Sequence, residues 1–181
     1  MKPPERIALH KGKFLALIKE GHWEYAERVN ASGAVIIVAV TGERKLLLVE
    51  QYRIPIHARA IEMPAGIIGD EPGGSGESIA AATKRELLEE TGYSAEVVEI
   101  LTTGPSSAGL ASELITLVMA SGLKRVHAGG GIASENITVH EVPLGDVQQW
   151  LAAKERQGLM VEPKVYAGLY FLLKENQAAG P

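Results

Sequence analysis

The order of hydrophobic and polar residues predicts strands in the first part of the chain. Loose alternation over residues 6–30 indicates two or three short strands, with turns at Gly12 and Gly21. Residues 33–40 form a continuous apolar run rich in Val and Ile, which is typical of a strand buried on both faces. We expect residues 45–51 to form the next strand and to be the hairpin partner of that buried strand.

Further along the chain, strands and helices are mixed. Short strands are predicted at residues 62–66, 96–103, 114–120 and 137–142, and helices at residues 77–93, 143–156 and 162–176. Ser75 and Gly92 are candidate caps of the first helix. Two glycine-rich stretches, residues 67–76 and 122–135, indicate loops, and the second is expected to be mobile. Because no strand–helix–strand unit repeats, the fold class is α+β, with helices on a mixed sheet.

The first predicted helix carries three closely spaced carboxylates. At about 100° per residue, Glu86, Glu89 and Glu90 share one face within about one turn. Like charges at this spacing weaken a helix, and a divalent cation such as Mg²⁺, which prefers oxygen ligands, would offset the repulsion. Arg85 lies beside the cluster, where it could orient one carboxylate. On charge alone, a solvated acidic helix face is the alternative interpretation.

The neighbouring residues favour the metal site. Residues 85–93 read Arg-Glu-Leu-Leu-Glu-Glu-Thr-Gly-Tyr, and Glu77 lies eight positions before them. This pattern resembles the signature of the Nudix hydrolases. Residues 48–53 (Leu-Val-Glu-Gln-Tyr-Arg) and 62–66 (Glu-Met-Pro-Ala-Gly) resemble the branch that acts on ADP-ribose and nucleoside diphosphate sugars.

The resemblance implies an architecture for the whole chain. Residues 33–181 would form the Nudix hydrolase domain, an α/β/α sandwich around a mixed β-sheet. Residues 1–32 would form a small N-terminal antiparallel β-meander. In this branch such a subdomain commonly crosses onto a partner subunit, so the resemblance also implies a homodimer.

The resemblance assigns the metal site and part of the catalytic group. Glu86, Glu89 and Glu90 match the family's metal ligands, and the backbone carbonyl of Ala65 matches a further one. The expected cofactor is Mg²⁺, with Mn²⁺ as an alternative. Glu89 and Arg85 are also expected to take part in catalysis. A plain turn after a proline is the alternative interpretation of Ala65.

A second carboxylate is expected across the cleft, to act as a base or to orient water. Glu135, at the end of the second glycine-rich stretch, matches the place where related enzymes carry such a residue on a mobile loop. An ordinary solvated glutamate is the alternative interpretation. Glu113 is a rival candidate, which could instead hold structure or assist the metal.

The resemblance also implies contacts with the substrate. Arg53 matches an arginine that contacts the phosphates or the ribose, and Glu62 could contact a ribose hydroxyl or pair with an arginine. Trp23 resembles an aromatic residue that stacks on the nucleobase, and packing in the core is the alternative. Gly109 and Glu113 complete the predicted substrate contacts.

Two departures from the family pattern shape the expected function. The loop over residues 67–76 carries about five extra residues, which a surface loop tolerates at small entropic cost. Where the ADP-ribose branch usually has Ser-Pro-Gly, residues 107–109 read Ser-Ala-Gly. The missing proline favours a broader range of nucleoside diphosphate sugars over ADP-ribose alone. Two further hypotheses are a nucleoside triphosphate hydrolase and a non-catalytic regulator that binds nucleotide sugars.

Composition excludes several classes of protein. A chain of 181 residues is expected to form one domain with its own core, and a net charge of −4 gives no indication of nucleic-acid binding. The absence of cysteine excludes disulfides and zinc–thiolate sites. The longest apolar run, residues 34–40, is too short to span a membrane. Without a visible signal peptide, we expect a cytoplasmic protein.

Overall fold

The computed structural model of the chain describes residues 4–69, 76–131 and 136–178. It begins with an antiparallel meander, as predicted. The meander consists of β1 (Arg6–Lys11), β2 (Leu15–Glu20) and β3 (Trp23–Arg28). The meander lies against its own chain, because Ala26 of β3 bridges to Ala111 and its N–H donates to the carbonyl of Leu110 at 2.8 Å.

Two four-stranded sheets form the centre of the molecule, and both are mixed. The first contains β4 (Gly33–Ala39), β7 (Ala65–Ile68), β9 (Val97–Pro105) and β10 (Leu114–Ser121). Its order is β7-β4-β10-β9, with β4 and β10 parallel and the other neighbours antiparallel. The predicted mixed α+β class is therefore confirmed.

The second sheet has the same number of strands. It contains β5 (Lys45–Arg53), β6 (Ala58–Glu62), β12 (Thr138–Pro143) and β13 (Met160–Val161), in the order β12-β5-β6-β13. Only the β6–β13 pair is parallel among the described neighbours of this sheet. Two short strands, β8 (Tyr93–Ser94) and β11 (Lys124–Arg125), pair separately.

Three helices pack on these sheets at the predicted places. They are α1 (Ile79–Thr91), α2 (Val147–Arg156) and α3 (Pro163–Ala178), and a short 3₁₀ helix spans Ile54–Ile56. Ser78 caps α1 by accepting the Ala81 N–H at 3.1 Å, whereas the predicted cap, Ser75, lies outside the described residues. Gly92 ends α1 at a φ of 76°, as predicted. Within the described residues, no helix is long and apolar enough to cross a membrane.

Strand β4 explains how the layers are held together. Its residues are all buried, and successive side chains point to opposite faces. Val35 and Ile37 pack in a cluster with Leu87 of α1. Ile36 and Val38 pack in a second cluster with the apolar faces of α2 and α3. One strand thus joins α1 on one side to α2 and α3 on the other, and each buried Val or Ile contributes about 1.5–3 kcal/mol.

The predicted hairpin between β4 and β5 is wrong. Within the described residues, the two segments are joined only by an isolated antiparallel bridge between Val40, just after β4, and Leu46. Strand β4 pairs instead with β7 and β10, and β5 pairs with β6 and β12. Because β4 is central in its sheet, segments far along the chain supply its partners. After the turn that follows β4, the chain enters the second sheet as β5.

Candidate active site

Helix α1 presents its carboxylates to β7 at very short range. A Cβ atom added to Gly66 would overlap the carboxyl group of Glu86. Beside it, the backbone N–H of Ala65 donates to Oε2 of Glu90 at 3.0 Å. Glycine at position 66 therefore leaves the space that the Glu86 carboxylate fills, and the Ala65–Glu90 hydrogen bond fixes the last turn of α1 against the strand.

Arg85 forms hydrogen bonds with the carboxylates of Glu77 and Glu86. Its Nε and Nη2 donate to Glu77 at 3.0 and 3.1 Å, and its Nη1 donates to Glu86 at 2.7 Å. Nη2 also donates to the carbonyl of Ile67 at 3.1 Å. The hydrogen bonds with Arg85 lower the pKa of Glu77 and raise the pKa of Arg85 itself. Arg85 therefore orients Glu86, and its part in catalysis stays a prediction.

The three predicted metal-ligating glutamates differ in exposure. Glu90 is buried, and the Glu86 side chain is 13% exposed. The Glu89 side chain is 44% exposed and lies 3.6 Å from Nη1 of Arg85. Glu86 and Glu90 line the cleft described next, and Glu89 is not among its lining residues.

A cavity of about 360 Å³ opens between α1, the sheets and the start of α3. It brings together six residues that the sequence predicted for the site: Arg53, Glu62, Ala65, Glu86, Glu90 and Glu113. The α1 carboxylates form one side of the cavity. Since the cavity is lined mainly by charged and polar groups, a small polar ligand fits it better than an apolar one.

Three ion pairs occupy the other side of the cavity. We call it the cationic side, after its three cations Arg53, Arg28 and Lys164. Arg53 donates to Glu62 through Nε at 2.8 Å and through Nη2 at 2.5 Å. Arg28 pairs with Glu113, and Lys164 pairs with Glu162. Burial lowers the pKa of Lys164, while Glu62 and Glu113 act in the opposite direction. The cleft thus places the α1 carboxylates on one side and three cations, each paired with a carboxylate, on the other.

Three residues of the cationic side were missed by the sequence analysis: the cations Arg28 and Lys164, and Glu162. Arg28 lies five positions after Trp23, for which a substrate contact was predicted, so this segment had already been indicated by the sequence. Lys164 gave no comparable signal, because its place in the cleft depends on how α3 packs against the sheets. Glu113 lies in the cleft as expected, and its ion pair with Arg28 is consistent with a structural role as well as a catalytic one.

A second cavity of about 350 Å³ lies beside the meander. Trp23 and Gly109 both line it, together with Tyr25 and Glu20. Tyr25 donates its hydroxyl to Oε2 of Glu20 at 3.0 Å. Because Trp23 is 53% exposed, it does not pack in the core. The cavity brings Trp23 and Gly109 together, and their contact with the substrate stays a prediction.

The second glycine-rich stretch is held against α1 where it is described. The N–H groups of Gly130 and Gly131 donate to the carbonyls of Glu90 and Glu89 at 2.8 and 3.0 Å. These are terminal helix carbonyls that lack partners within the helix. A Cβ at Gly129 would overlap the backbone of Thr91, so only glycine permits this approach. The described glycines therefore fix the base of the stretch, and the predicted Glu135 lies outside the described residues.

The donors of the cleft fit a hard divalent cation. Within the described ranges, no three His, Asp or Glu side chains are already gathered around one point as a metal site. Two of the predicted ligands are hydrogen-bonded within the protein: Arg85 donates to Glu86, and the N–H of Ala65 donates to Glu90. The space at Gly66 nevertheless admits the Glu86 carboxylate to the cleft, and carboxylate oxygens are the ligands that Mg²⁺ and Mn²⁺ accept.

Comparison with known proteins agrees with this geometry. A family model described as the NUDIX domain matches residues 31–159. A methanol dehydrogenase activator of Bacillus methanolicus is 36% identical over 138 residues, which is 76% of this chain and 72% of the relative. An ADP-ribose pyrophosphatase of Bacillus subtilis is 33% identical over 152 residues, which is 82% of this chain and 77% of the relative.

More distant proteins extend the comparison. A GDP-mannose pyrophosphatase of Escherichia coli K12 is 30% identical over 133 residues, covering 68% of this chain and 66% of the relative. A crystal structure described as an ADP compounds hydrolase superposes with a TM-score of 0.74 at 19% identity. That superposition covers 99% of this chain and 97% of the other, and it confirms the fold. With the family model covering most of its length, this chain belongs to the Nudix family.

Proposed function

We propose that this protein hydrolyses the pyrophosphate bond of nucleoside diphosphate sugars with the help of Mg²⁺ or Mn²⁺. The products would be a nucleoside monophosphate and a sugar phosphate. The observation that carries the proposal is the charge arrangement of the cleft. The α1 carboxylates line one side, and three cations, each paired with a carboxylate, line the other, which suits a metal bound to a diphosphate. Relatives named for ADP-ribose and GDP-mannose support the substrate class.

The α1 side of the cleft would bind the metal. Glu86, Glu89 and Glu90 supply carboxylates, and the carbonyl of Ala65 is the proposed fourth protein ligand. When bound, such a cation neutralises charge on phosphoryl oxygens and acidifies water. Arg85 keeps Glu86 directed toward the cleft through the contact at 2.7 Å. The exposed Glu89 can reach the same ion by a change of side-chain rotamer.

The cationic side would bind the substrate. The guanidinium groups of Arg53 and Arg28 are suited to bidentate hydrogen bonding with phosphate oxygens. Each guanidinium is held in the cleft by its carboxylate partner, Glu62 or Glu113. Because Glu62 is itself buried, it keeps Arg53 at the edge of the cavity, where the guanidinium faces the ligand.

Glu135 remains our proposed base or water-orienting residue. In the sequence it follows Gly130 and Gly131, whose N–H groups donate to the carbonyls of Glu90 and Glu89, and Glu135 itself lies outside the described residues. Glu113 is the alternative, but its ion pair with Arg28 ties it to the cationic side of the cleft.

The N-terminal meander, residues 1–32, would complete the binding site for the nucleobase. Trp23 offers a flat, half-exposed ring, and stacking of a base on such a ring contributes about 1–3 kcal/mol. Gly109 lines the same cavity. Several large apolar side chains of the meander, including Phe14 and Leu15, are exposed. They support the proposal that this subdomain contacts a second copy of the chain in a homodimer.

A substrate panel tests the proposed activity. Purified protein is incubated with ADP-ribose, GDP-mannose, other nucleoside diphosphate sugars and ATP, with Mg²⁺, Mn²⁺ or EDTA. Products are identified by mass, and phosphate is measured after treatment with alkaline phosphatase. We expect hydrolysis of the diphosphate sugars with metal and none with EDTA. Hydrolysis of ATP alone, or equal rates in the Glu89→Gln variant, would contradict the proposal.

A further inference from the structure

Lys164 stands out among the cleft cations because of its partner and its position. It is the second residue of α3, across the cavity from the α1 carboxylates. Its ammonium pairs with Glu162, which lines the same cavity. Both side chains are partly shielded, at 31% and 24% exposure. A charge pair in this position faces whatever the cleft binds.

We propose that Lys164 binds the substrate diphosphate and that Glu162 is a built-in competitor for the same ammonium group. The inference rests on the proposed function, because it requires an anionic substrate in the cleft. On binding, the Lys164 ammonium exchanges the Glu162 carboxylate for phosphoryl oxygens. Glu162 thereby weakens binding of the diphosphate and, in the free protein, compensates the charge of Lys164.

Hydrogen bonds hold the backbone on the Glu162 side of this pair. The Glu162 N–H donates to the carbonyl of Ile61 at 2.9 Å, and the Glu162 carbonyl accepts the N–H of Val165 at 2.9 Å. Pro163, between the two partners, restricts the backbone further. The backbone of Glu162 is therefore held beside β6, and the long, flexible stem of Lys164 can turn its ammonium from the carboxylate to a ligand.

The charges around Lys164 support a ligand-binding role. Glu62 and Glu113 face its ammonium, but each already pairs with an arginine, Arg53 or Arg28. Neither carboxylate needs Lys164 as a partner. A diphosphate brings two negative charges into this group. Of the three cations, Lys164 is the one whose carboxylate partner lies only two residues away in the chain, because Glu162 directly precedes α3.

Two substitutions with opposite expected signs test the proposal. In Lys164→Gln, the dissociation constant of the α,β-methylene analogue of ADP-ribose should rise about ten- to hundredfold, since a charged hydrogen bond is lost. In Glu162→Gln, the same constant should fall about two- to fivefold, since a partly exposed ion pair no longer competes. Both constants are measured by isothermal titration calorimetry in the presence of Mg²⁺. The double variant should resemble Lys164→Gln.

A purely structural ion pair gives a different result. If Glu162 only positions Lys164, both single substitutions weaken binding, and the proposal is overturned. Glu96→Gln and Lys124→Gln, which break an exposed pair at 2.6 Å outside the cleft, are controls for the change of net charge and should leave binding unaltered. Thermal unfolding of every variant confirms that the fold is retained.

The proposed function and this inference can fail separately. If the unmodified protein neither hydrolyses nor binds any member of the substrate panel, the proposed function is wrong. If it hydrolyses ADP-ribose and binds the analogue, but Glu162→Gln binds more weakly than the unmodified protein, only the competitor role fails. KM for ADP-ribose should follow the dissociation constants in direction, while kcat changes less.

Discussion

Two carboxylate clusters in this molecule have opposite charge balances. We call them the acidic cluster, formed by Glu77, Arg85, Glu86 and Glu89, and the Glu50 cluster, formed by Glu50, Arg59, His140 and Lys154. In the acidic cluster one guanidinium is shared by three carboxylates, at 3.0, 2.7 and 3.6 Å. In the Glu50 cluster one carboxylate is surrounded by three nitrogen donors, at 2.6, 3.0 and 3.1 Å.

The Glu50 cluster is held together by hydrogen bonds to a single carboxylate. Burial raises the pKa of Glu50, but hydrogen bonds from Arg59, His140 and Lys154 outweigh burial and hold the pKa at about 2. His140 also packs edge-on against the ring of Trp150, with centroids 4.9 Å apart. This cluster joins β5 and β12 to α2, and every charge in it has a protein partner.

The acidic cluster has more negative than positive charge among its own members. Arg85 supplies one positive charge to three carboxylates, and the buried Glu90 lies one position beyond them. Each cluster has an excess of charge, of opposite sign, so the excess alone does not distinguish them. The difference is position, because Glu86 lines the cleft and Glu50 is not among its lining residues. When a cluster places an excess of one sign at a cavity, a ligand of the other sign is expected. The predictions below test this difference.

The largest expected effect is on catalysis in the acidic cluster. Glu86→Gln should lower kcat/KM about a thousandfold, which is about 4 kcal/mol of transition-state stabilisation. The free energy of unfolding should change by less than about 1 kcal/mol, because relief of repulsion offsets the lost Arg85 contact. Steady-state kinetics with ADP-ribose and urea denaturation measure the two quantities. Glu96→Gln, on an exposed surface, is the control.

The Glu50 cluster should respond in the opposite manner. Glu50→Gln leaves Arg59, His140 and Lys154 without their shared carboxylate, so the free energy of unfolding should fall by about 3 kcal/mol. The rate of hydrolysis should change less than about twofold, because Glu50 points away from the cleft that its neighbour Gln51 lines. A large loss of activity in a folded Glu50→Gln protein would erase the distinction between the clusters.

A smaller effect is expected at the glycine that admits Glu86 to the cleft. In Gly66→Ala, the new Cβ would overlap the Glu86 carboxylate, which must then move. Since displacement of a catalytic group by about 1 Å can cost up to a hundredfold, we expect kcat/KM to fall about thirtyfold. Gly42→Ala is the matched control, because nothing lies within 4 Å of its added Cβ. Equal activities of these two variants would show that the close approach is unimportant.

Acid should weaken the Glu50 cluster gradually. The pKa of Glu50 is lowered from 4.5 to about 2 on folding, so its contribution is present above pH 4.5 and is lost as the pH falls toward 2. Between pH 6 and pH 3.5, the unmodified protein should lose about 1 kcal/mol more stability than Glu50→Gln. Urea denaturation at both pH values measures the difference, and parallel pH profiles would contradict the assignment.

The sequence predicted the acidic cluster far better than the Glu50 cluster. Glu86, Glu89 and Glu90 lie within one helical turn, so helix geometry alone places them together. Lys154 reaches Glu50 across 104 positions of the chain, and His140 across 90. Residue spacing contains no information about such contacts. The same reason explains why Lys164 was missed, since only the packing of α3 brings it into the cleft.

The strands show the same limit. Burial of β4 was readable from its unbroken apolar run, but its neighbours were not. The prediction paired it with β5, which follows it directly, whereas its parallel partner β10 lies far along the chain. Local pattern therefore determines which segments are strands, and long-range packing determines which strands pair.

Binding of Mn²⁺, followed by electron paramagnetic resonance, tests most directly whether the acidic cluster holds a metal. Titrations compare the unmodified protein with Glu86→Gln and Glu50→Gln at equal concentration and ionic strength. We predict saturable binding by the unmodified protein and by Glu50→Gln, with much weaker binding by Glu86→Gln. Equal binding by Glu86→Gln and the unmodified protein would contradict the account, because the excess of carboxylates at the cleft would then have no part in holding the cation.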